Sequence, residues 1–305
     1  MVSGAFIAAG LFVVAVSAFT LMRSRWPRTG DAAAHPSEAG LFRRTLRAGF
    51  LVTAMAGALL AVSGDHQAKL AATYEPMKLA GAEALWDDET GAGFSLFAVG
   101  DVRDGRNHVN VQVPNVLSFL ATGDFEGDVQ GINDVQARYE AVFGPGDYRP
   151  NIAVLYWSFR LMMGLGLAGV GIGVVGLWLT RRGRLPRHRW MYRVAILGLP
   201  AALGANVFGW VLTEMGRQPW TVVGELLTAH SVSPGVSLTE VAISLSAFTL
   251  LYGVLAVVEA KLLWRYVLAG PGHVMPYPDP ETDTATGDPA DPAENAEDRV
   301  PAFVY

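Results

Sequence analysis

The chain has 305 residues, of which 51% are hydrophobic and only 17% are charged. This balance, with a mean hydropathy of +0.29, is too apolar for an ordinary soluble domain and indicates a membrane protein with several spans. Because the chain has no cysteine, disulfides, thiolate metal sites and cysteine-held iron–sulfur clusters are excluded. There is no basic excess that would indicate nucleic-acid binding.

Five apolar stretches are long enough to cross a bilayer, which takes about 20 helical residues. They predict an all-α membrane protein with five transmembrane helices, and Pro200 is expected to kink the fourth. The stretches cover residues 2–22, 48–64, 154–180, 191–213 and 238–268. We therefore expect four regions: helices one and two (1–64), a long loop (65–150), helices three to five (151–269) and a tail (270–305).

The long loop has mixed character. Its first part is compatible with an amphipathic helix, and the segments FSLFAVG and HVNVQVP are typical of short strands. Residues 115–149 are acidic and glycine-rich, which predicts a helix with loops. The tail is rich in Pro, Asp and Glu and is predicted to be disordered.

Arginines set the expected orientation, because cytoplasmic loops carry an excess of them. The loops after the first and third spans should both be cytoplasmic, together with the C-terminus, and the loops 65–150 and 215–236 should lie outside. The arginines in question are Arg23, Arg25, Arg28, Arg43, Arg44 and Arg47 in the first loop, and Arg181, Arg182, Arg184, Arg187 and Arg189 in the third.

Ionisable side chains inside spans are costly and are often functional. Arg160, Glu214 and Glu240 should lie in the outer half of their helices. Each has a plainer interpretation: Glu214 can be a boundary residue that reaches water, and Arg160 can snorkel to headgroups. Met162 is by pattern a core-filling residue. None of the six histidines falls inside a predicted span, so this chain offers no buried histidine to a cofactor.

Two polar motifs lie in the expected outer loops. In GRQPW (216–220), Gly216 and Pro219 are compatible with a tight turn, and Arg217 could instead pair with an anionic group beside Trp220. Lys78 and Glu83 are five residues apart, about 140° on one helix. They belong either to a solvated amphipathic helix or to a polar pair that handles a substrate proton.

Three segments together resemble one family. MKLAGAEALW (77–86), FRLMM (159–163) and GWVLTEMGRQPW (209–220) occur in the order and spacing found in the C-terminal part of subunit I of cytochrome bd-type quinol oxidases. The resemblance covers about residues 1–270. It implies quinol oxidation at the outer face of a bacterial plasma membrane, reduction of dioxygen to water, three haems and a partner subunit II, with 65–150 as the quinol-binding loop.

The resemblance also implies roles for single residues. Lys78 and Glu83 match the loop lysine and glutamate that act in quinol oxidation. Met162 matches a ligand of the low-spin haem b, and Arg160 matches an arginine that balances haem propionate charge. Glu214 matches the ligand of the high-spin haem b, which is expected at the same membrane depth as Met162. Arg217 and Trp220 match the wall of the haem pocket.

Members of this family begin with four further spans. We therefore expect a partial subunit, with an incomplete ligand set for the low-spin haem, no ligand for haem d or a replacement haem, and no activity without the missing N-terminal half and subunit II. A fragment or a late start is favoured over a split subunit. The alternative is a non-catalytic membrane scaffold or an ion- or proton-conducting component, for which repeats and broken helices would be expected but are not evident.

Overall fold

The computed structural model describes residues 2–27, 36–101 and 104–271. The predicted tail therefore falls almost entirely outside the described residues. The helices in chain order are α1 (Val2–Arg25), α2 (Pro36–Tyr74), α3 (Pro76–Glu83), α4 (Val116–Thr122), α5 (Ile132–Phe143), α6 (Ile152–Leu179), α7 (Arg189–Arg217) and α8 (Leu238–Ala269). The strands are β1 (Glu89–Thr90), β2 (Phe94–Asp101), β3 (Arg106–Val113), β4 (Asp128–Val129), β5 (Trp220–Val222) and β6 (Leu226–Leu227).

Five of the described helices are long and apolar enough to cross a membrane, which confirms the predicted spans. They are α1, α2, α6, α7 and α8. The helix α2 extends beyond the predicted 48–64 at both ends. Its continuation to Tyr74 consists largely of good helix formers, and Lys69 pairs with Asp65 one turn earlier, N–O 2.8 Å. Hydropathy marks only the apolar part of this helix.

Four of the spans pack as a ring, in which α1 contacts α2 and α7, and α6 contacts α7 and α2. Small residues allow the close approach of α1 and α2. A Cβ on Gly10 would lie 2.5 Å from the Thr53 hydroxyl, and one on Gly49 would lie 2.8 Å from the Gly10 carbonyl oxygen. Such contacts replace the hydrophobic driving force that helices lack inside lipid.

The described residues up to Ile243 form one compact unit, and the described residues from Ser244 to residue 271 belong to a second. The helix α8 begins in the first unit with a capping box. Glu240 accepts hydrogen bonds from the Ser237 backbone N–H (2.7 Å) and from the Ser237 hydroxyl (2.8 Å). This contact satisfies backbone groups at the helix start, so Glu240 has a structural role there.

The two ends of the ring differ in character. At the loop end, where α2 ends and α6 begins, residues 75–151 form a subdomain that contacts α6 and α7 through α3. At the arginine end, where α1 ends and α7 begins, Arg25 donates hydrogen bonds to the Pro186 carbonyl (2.7 Å) and the Tyr192 hydroxyl (3.2 Å). The polar chemistry of the chain is thus divided between opposite ends of the spans.

The loop subdomain is built from short elements around a small core. The hairpin β2–β3 forms where FSLFAVG and HVNVQVP predicted strands, and β1 pairs with β4, both antiparallel. The acidic region 115–149 contains two helices, α4 and α5, rather than one. The core that joins α3 and α5 to the start of α6 comprises Met77, Ala80, Trp86, Ile132, Val135 and Ile152.

Candidate functional site

Glu83 is the last residue of α3, and its side chain is only 1% exposed. The helix starts with Pro76 and ends at Ala84, which adopts a left-handed conformation with φ 51°. This sharp stop turns the chain, so that the Glu83 carboxylate points toward the spans instead of water. A carboxylate buried to this extent requires hydrogen-bond donors.

Arg160 of α6 supplies two of those donors. Its Nη1 and Nη2 donate to the two Glu83 carboxylate oxygens at 3.2 and 2.7 Å. The backbone N–H of Ser95 donates to Oε2 of the same carboxylate at 3.0 Å. Charge-assisted bidentate pairs of this kind are both strong and geometrically specific. Glu83 and Arg160 belong to different sequence motifs, and the structure brings them into direct contact.

The Arg160 guanidinium also lies among aromatic rings. Its central carbon is 4.7 Å from the ring centroid of Phe94, 4.6 Å from that of Tyr156 and 5.0 Å from that of Phe159. The side chain is 11% exposed, so it does not snorkel to headgroups. Within the described residues its Nε finds no acceptor. That N–H is therefore one donor that remains available to a further acceptor.

Burial raises the pKa of the Glu83 carboxyl, and this effect exceeds the opposing influence of Arg160 and of the Ser95 N–H. The carboxyl therefore holds a proton at milder pH than an ordinary glutamate does. A raised pKa beside a fixed cation is typical of groups that exchange protons during catalysis.

Three residues that carry no candidate role in the sequence, Ser95, Asn110 and Tyr156, also belong to this site. The Ser95 hydroxyl donates to Asn110 Oδ1 (3.2 Å) and contacts the Tyr156 hydroxyl (3.0 Å). Because its one hydrogen points to Asn110, it accepts from Tyr156. This hydrogen bond ties β2 to α6 directly beside Glu83. A serine between Phe94 and Leu96 carries no sequence signal for such a role.

Lys78 and Glu83 do not form a polar pair with each other. The Lys78 ammonium pairs with Glu75 of the preceding turn, N–O 2.8 Å. Its aliphatic stem lies over the end of α7, where a Cβ on Gly216 would be 2.7 Å from the Lys78 Cγ. Lys78 therefore faces α7 and Glu83 faces α6, and a joint action of the two on a substrate stays a prediction.

Met162 and Glu214 lie at different depths, contrary to the expectation from the family resemblance. A Cβ on Gly209 of α7 would lie 3.2 Å from the Met162 sulfur, so these two residues are level. Glu214 follows Gly209 by five residues, which corresponds to about 7.5 Å of helix rise toward the loop end. Met162 is therefore the deeper of the two.

The motif GRQPW is not a turn throughout. The helix α7 continues to Arg217, so Gly216 is a buried helical residue, and its missing side chain makes room for Lys78. Glu214 and Arg217 are one turn apart and form an ion pair with side chains 43% and 39% exposed. The chain leaves the helix only at Gln218.

Trp220 is 5% exposed and contacts the loop subdomain. Its ring stacks on Tyr148, with centroids 5.4 Å apart and planes 11° apart, and meets the edge of Phe143 at 4.9 Å. Its Nε1 is buried without an acceptor in the described part of the chain. The end of α7 is thus anchored to the loop through aromatic packing.

The donor atoms of Met162 and Glu214 are compatible with haem iron, each as a single ligand. A methionine thioether is a known axial haem ligand, and a carboxylate oxygen also binds iron. Gly209 leaves space beside the Met162 sulfur, and the Arg217 Nε is a buried donor without an acceptor among the described residues. Met162 and Glu214 could each supply one ligand to a haem iron. The one histidine in the described span helices is His66, which is exposed in the continuation of α2 toward Tyr74.

Long apolar helices with a buried acid–arginine pair at one end define a polytopic helical membrane protein whose polar site lies at the membrane boundary. The family can also be stated. The family model for cytochrome bd terminal oxidase subunit I matches residues 1–271, and the chain belongs to that family.

Individual relatives agree with this assignment. The chain is 35% identical over 274 residues to cytochrome bd ubiquinol oxidase subunit 1 of Bacillus subtilis, covering 90% of this chain and 56% of that protein. It is 25% identical over 331 residues to the cytochrome bd-II ubiquinol oxidase subunit 1 of Escherichia coli, covering 90% and 62% respectively. The solved structure of the bd oxidase from Geobacillus thermodenitrificans matches with a TM-score of 0.69 and 26% identity, over 86% of this chain and 55% of that one. The chain thus spans a little over half the length of these relatives.

Proposed function

We propose that this chain provides the quinol-oxidising loop and two haem-ligating helices of a cytochrome bd-type terminal oxidase. The observation that carries the proposal is the Glu83–Arg160 pair, which joins the loop to the span that carries Met162. The name of the Bacillus subtilis relative, a ubiquinol oxidase subunit, supports quinol as the substrate class. The rest of subunit I and a subunit II would complete the enzyme.

In this proposal Glu83 is the base that accepts a proton from a quinol hydroxyl. Its ionised form is stabilised by Arg160 and by the Ser95 N–H, so the carboxylate is oriented before substrate arrives. Lys78 lies against α7, where its side chain is 21% exposed, and its ammonium would orient a quinol oxygen. The two residues would then act on a substrate from different sides.

Met162 and Glu214 would each bind a haem iron from one side. A haem at these residues supplies one-electron oxidation and reduction. The Met162 thioether favours a higher potential than a second histidine would give. Arg217 contacts only Oε2 of Glu214, so Oε1 would be available to the iron. An ion pair this exposed would also open at a cost of about 1 kcal/mol or less. Arg217 then remains beside the ligand as a positive charge.

Proton release and proton uptake would occur at opposite ends of the bundle. Protons from quinol would leave at the loop end, which the arginine pattern places outside a bacterial plasma membrane. Protons consumed in forming water from dioxygen would enter from the arginine end. This separation would build a gradient without a pump.

The test is to assemble the oxidase with this chain as the C-terminal part of subunit I and to measure quinol-dependent oxygen uptake. Glu83→Gln should lower the rate at least tenfold with an unchanged reduced-minus-oxidised haem spectrum. Glu89→Gln is the matched control, because Glu89 is an exposed loop glutamate. Normal uptake with Glu83→Gln would exclude Glu83 as the base. Absence of a haem signal in the assembled wild type would refute the function as a whole.

A further inference from the structure

A groove at the arginine end lies between α2 and α6 and belongs to neither the loop nor the haem ligands. It has a volume of about 750 Å³. Its floor is apolar, formed by Leu51 of α2 and by Val174, Leu177 and Trp178 of α6. Its rim is basic, formed by Arg44, Arg47 and Arg181. The groove therefore has a charged end and an apolar end, which follow one another along the spans.

The three rim arginines need a counter-anion. Arg44 and Arg47 are three residues apart on α2, so they lie on the same helix face. Arg181 lies two residues beyond the end of α6, and its guanidinium carbon is 4.4 Å from the Trp178 ring centroid. No acidic residue lines the groove, and no carboxylate among the described residues pairs with the three arginines. Among the described residues, these three like charges thus have no compensating carboxylate.

We propose that this groove binds an anionic glycerophospholipid. The phosphate would lie among Arg44, Arg47 and Arg181, and one acyl chain would follow Leu51 and Val174 between the helices. Basic pockets between transmembrane helices favour anionic headgroups, and arginine binds phosphate oxygens in bidentate geometry. Free phosphate would leave the apolar floor exposed, and a zwitterionic lipid would bring a second cation to a rim that is already positive.

Native mass spectrometry of the purified full chain tests the site. After incubation with phosphatidylglycerol or phosphatidylcholine, the protein should retain the anionic lipid preferentially. Arg44→Gln, Arg47→Gln and Arg181→Gln should each weaken that binding about fivefold, since an interfacial arginine contributes about 1 kcal/mol. Arg43→Gln is the control, because Arg43 adjoins Arg44 but does not line the groove. Equal loss with Arg43→Gln, or equal retention of phosphatidylcholine, would overturn the proposal.

Trp178 supplies a second readout that reports position. Phosphatidylglycerol with brominated acyl chains should quench tryptophan fluorescence, and Trp178→Phe should remove that quenched component. Inorganic phosphate that displaces the lipid at millimolar concentration would indicate a free-anion site and contradict the lipid assignment. The same measurement on the assembled oxidase should still show quenching. Loss of quenching there would mean that another protein segment covers the groove, which would also overturn the proposal.

Discussion

Two of the acid–arginine pairs in the described residues, Glu83–Arg160 and Glu214–Arg217, involve the spans α6 and α7, and they differ in sequence separation and in exposure. Glu83 and Arg160 are far apart in sequence and their side chains are 1% and 11% exposed. Glu214 and Arg217 are one helical turn apart and about two-fifths exposed. The first pair is held by the tertiary fold, the second by a single helix.

This difference separates two functions of a carboxylate. A desolvated pair with three fixed donors keeps its carboxylate in one place, and removal of either partner leaves a buried charge. A local, solvated pair contributes little energy, so its carboxylate can exchange one partner for another. The first arrangement suits a residue that must take a proton in a fixed geometry, and the second suits a residue that must turn to a metal.

The largest expected effect comes from breaking the buried pair. Arg160→Met should lower the free energy of unfolding by about 3–5 kcal/mol, because it leaves the Glu83 carboxylate buried without its cation. Unfolding in mixed micelles, followed by circular dichroism, measures the change. The double variant Glu83→Gln with Arg160→Met should recover part of the loss. A change below about 1 kcal/mol for Arg160→Met would show that the pair is not desolvated.

The pH dependence comes next. If Glu83 acts as a base, its ionised form is required, so quinol oxidation should be lost as the pH falls through its raised pKa, about tenfold per unit, or 1.4 kcal/mol. The effect on stability has the opposite sign, because the folded state binds this proton more tightly than the unfolded chain. Arg160→Ala should move the acidic side of the pH–rate profile to higher pH, since Arg160 lowers the pKa of Glu83. If the acidic side of the pH–rate profile did not move, Glu83 would not be the group that titrates there.

Removal of one hydroxyl gives a smaller effect. Tyr156→Phe keeps the ring beside Arg160 but removes the hydrogen bond to Ser95, which should cost about 1 kcal/mol of stability. Faster hydrogen exchange of the Ser95 amide should accompany the loss. Tyr139→Phe is the matched control, since it also removes a hydroxyl from a packed ring, outside this junction. If the two substitutions had equal effects, the Tyr156 hydroxyl would contribute no more to stability than the Tyr139 hydroxyl does.

The smallest effect on stability should come from the local pair. Glu214→Gln should change the free energy of unfolding by only about 0.3–0.5 kcal/mol, because partly exposed pairs one turn apart are weak. The same substitution should remove one haem component from the spectrum of the assembled oxidase. Arg217→Gln should be similarly mild for stability while it leaves the ligand in place. A loss above about 2 kcal/mol would place Glu214 in the same class as Glu83.

The sequence predicts the spans well because their apolar length is a property of the chain itself. It locates the hairpin for the same reason, since alternation and turn residues are local. It names Glu83 and Arg160 but does not pair them, because no local pattern encodes a contact between the loop and α6. Ser95 goes unpredicted because its role depends on which face of β2 meets Tyr156. The helical state of Gly216 was missed because glycine before proline suggested a turn.

The contact between Lys78 and Gly216 gives the two motifs a shared constraint. The lysine methylenes occupy the volume that a side chain at position 216 would need, so a Cβ there would meet the Lys78 Cγ at 2.7 Å. Sizes at the two positions should therefore trade against each other among relatives: a residue larger than glycine at 216 calls for a shorter one at 78. The motifs MKLAGAE and GRQPW would then vary together, although they lie more than a hundred residues apart in the chain.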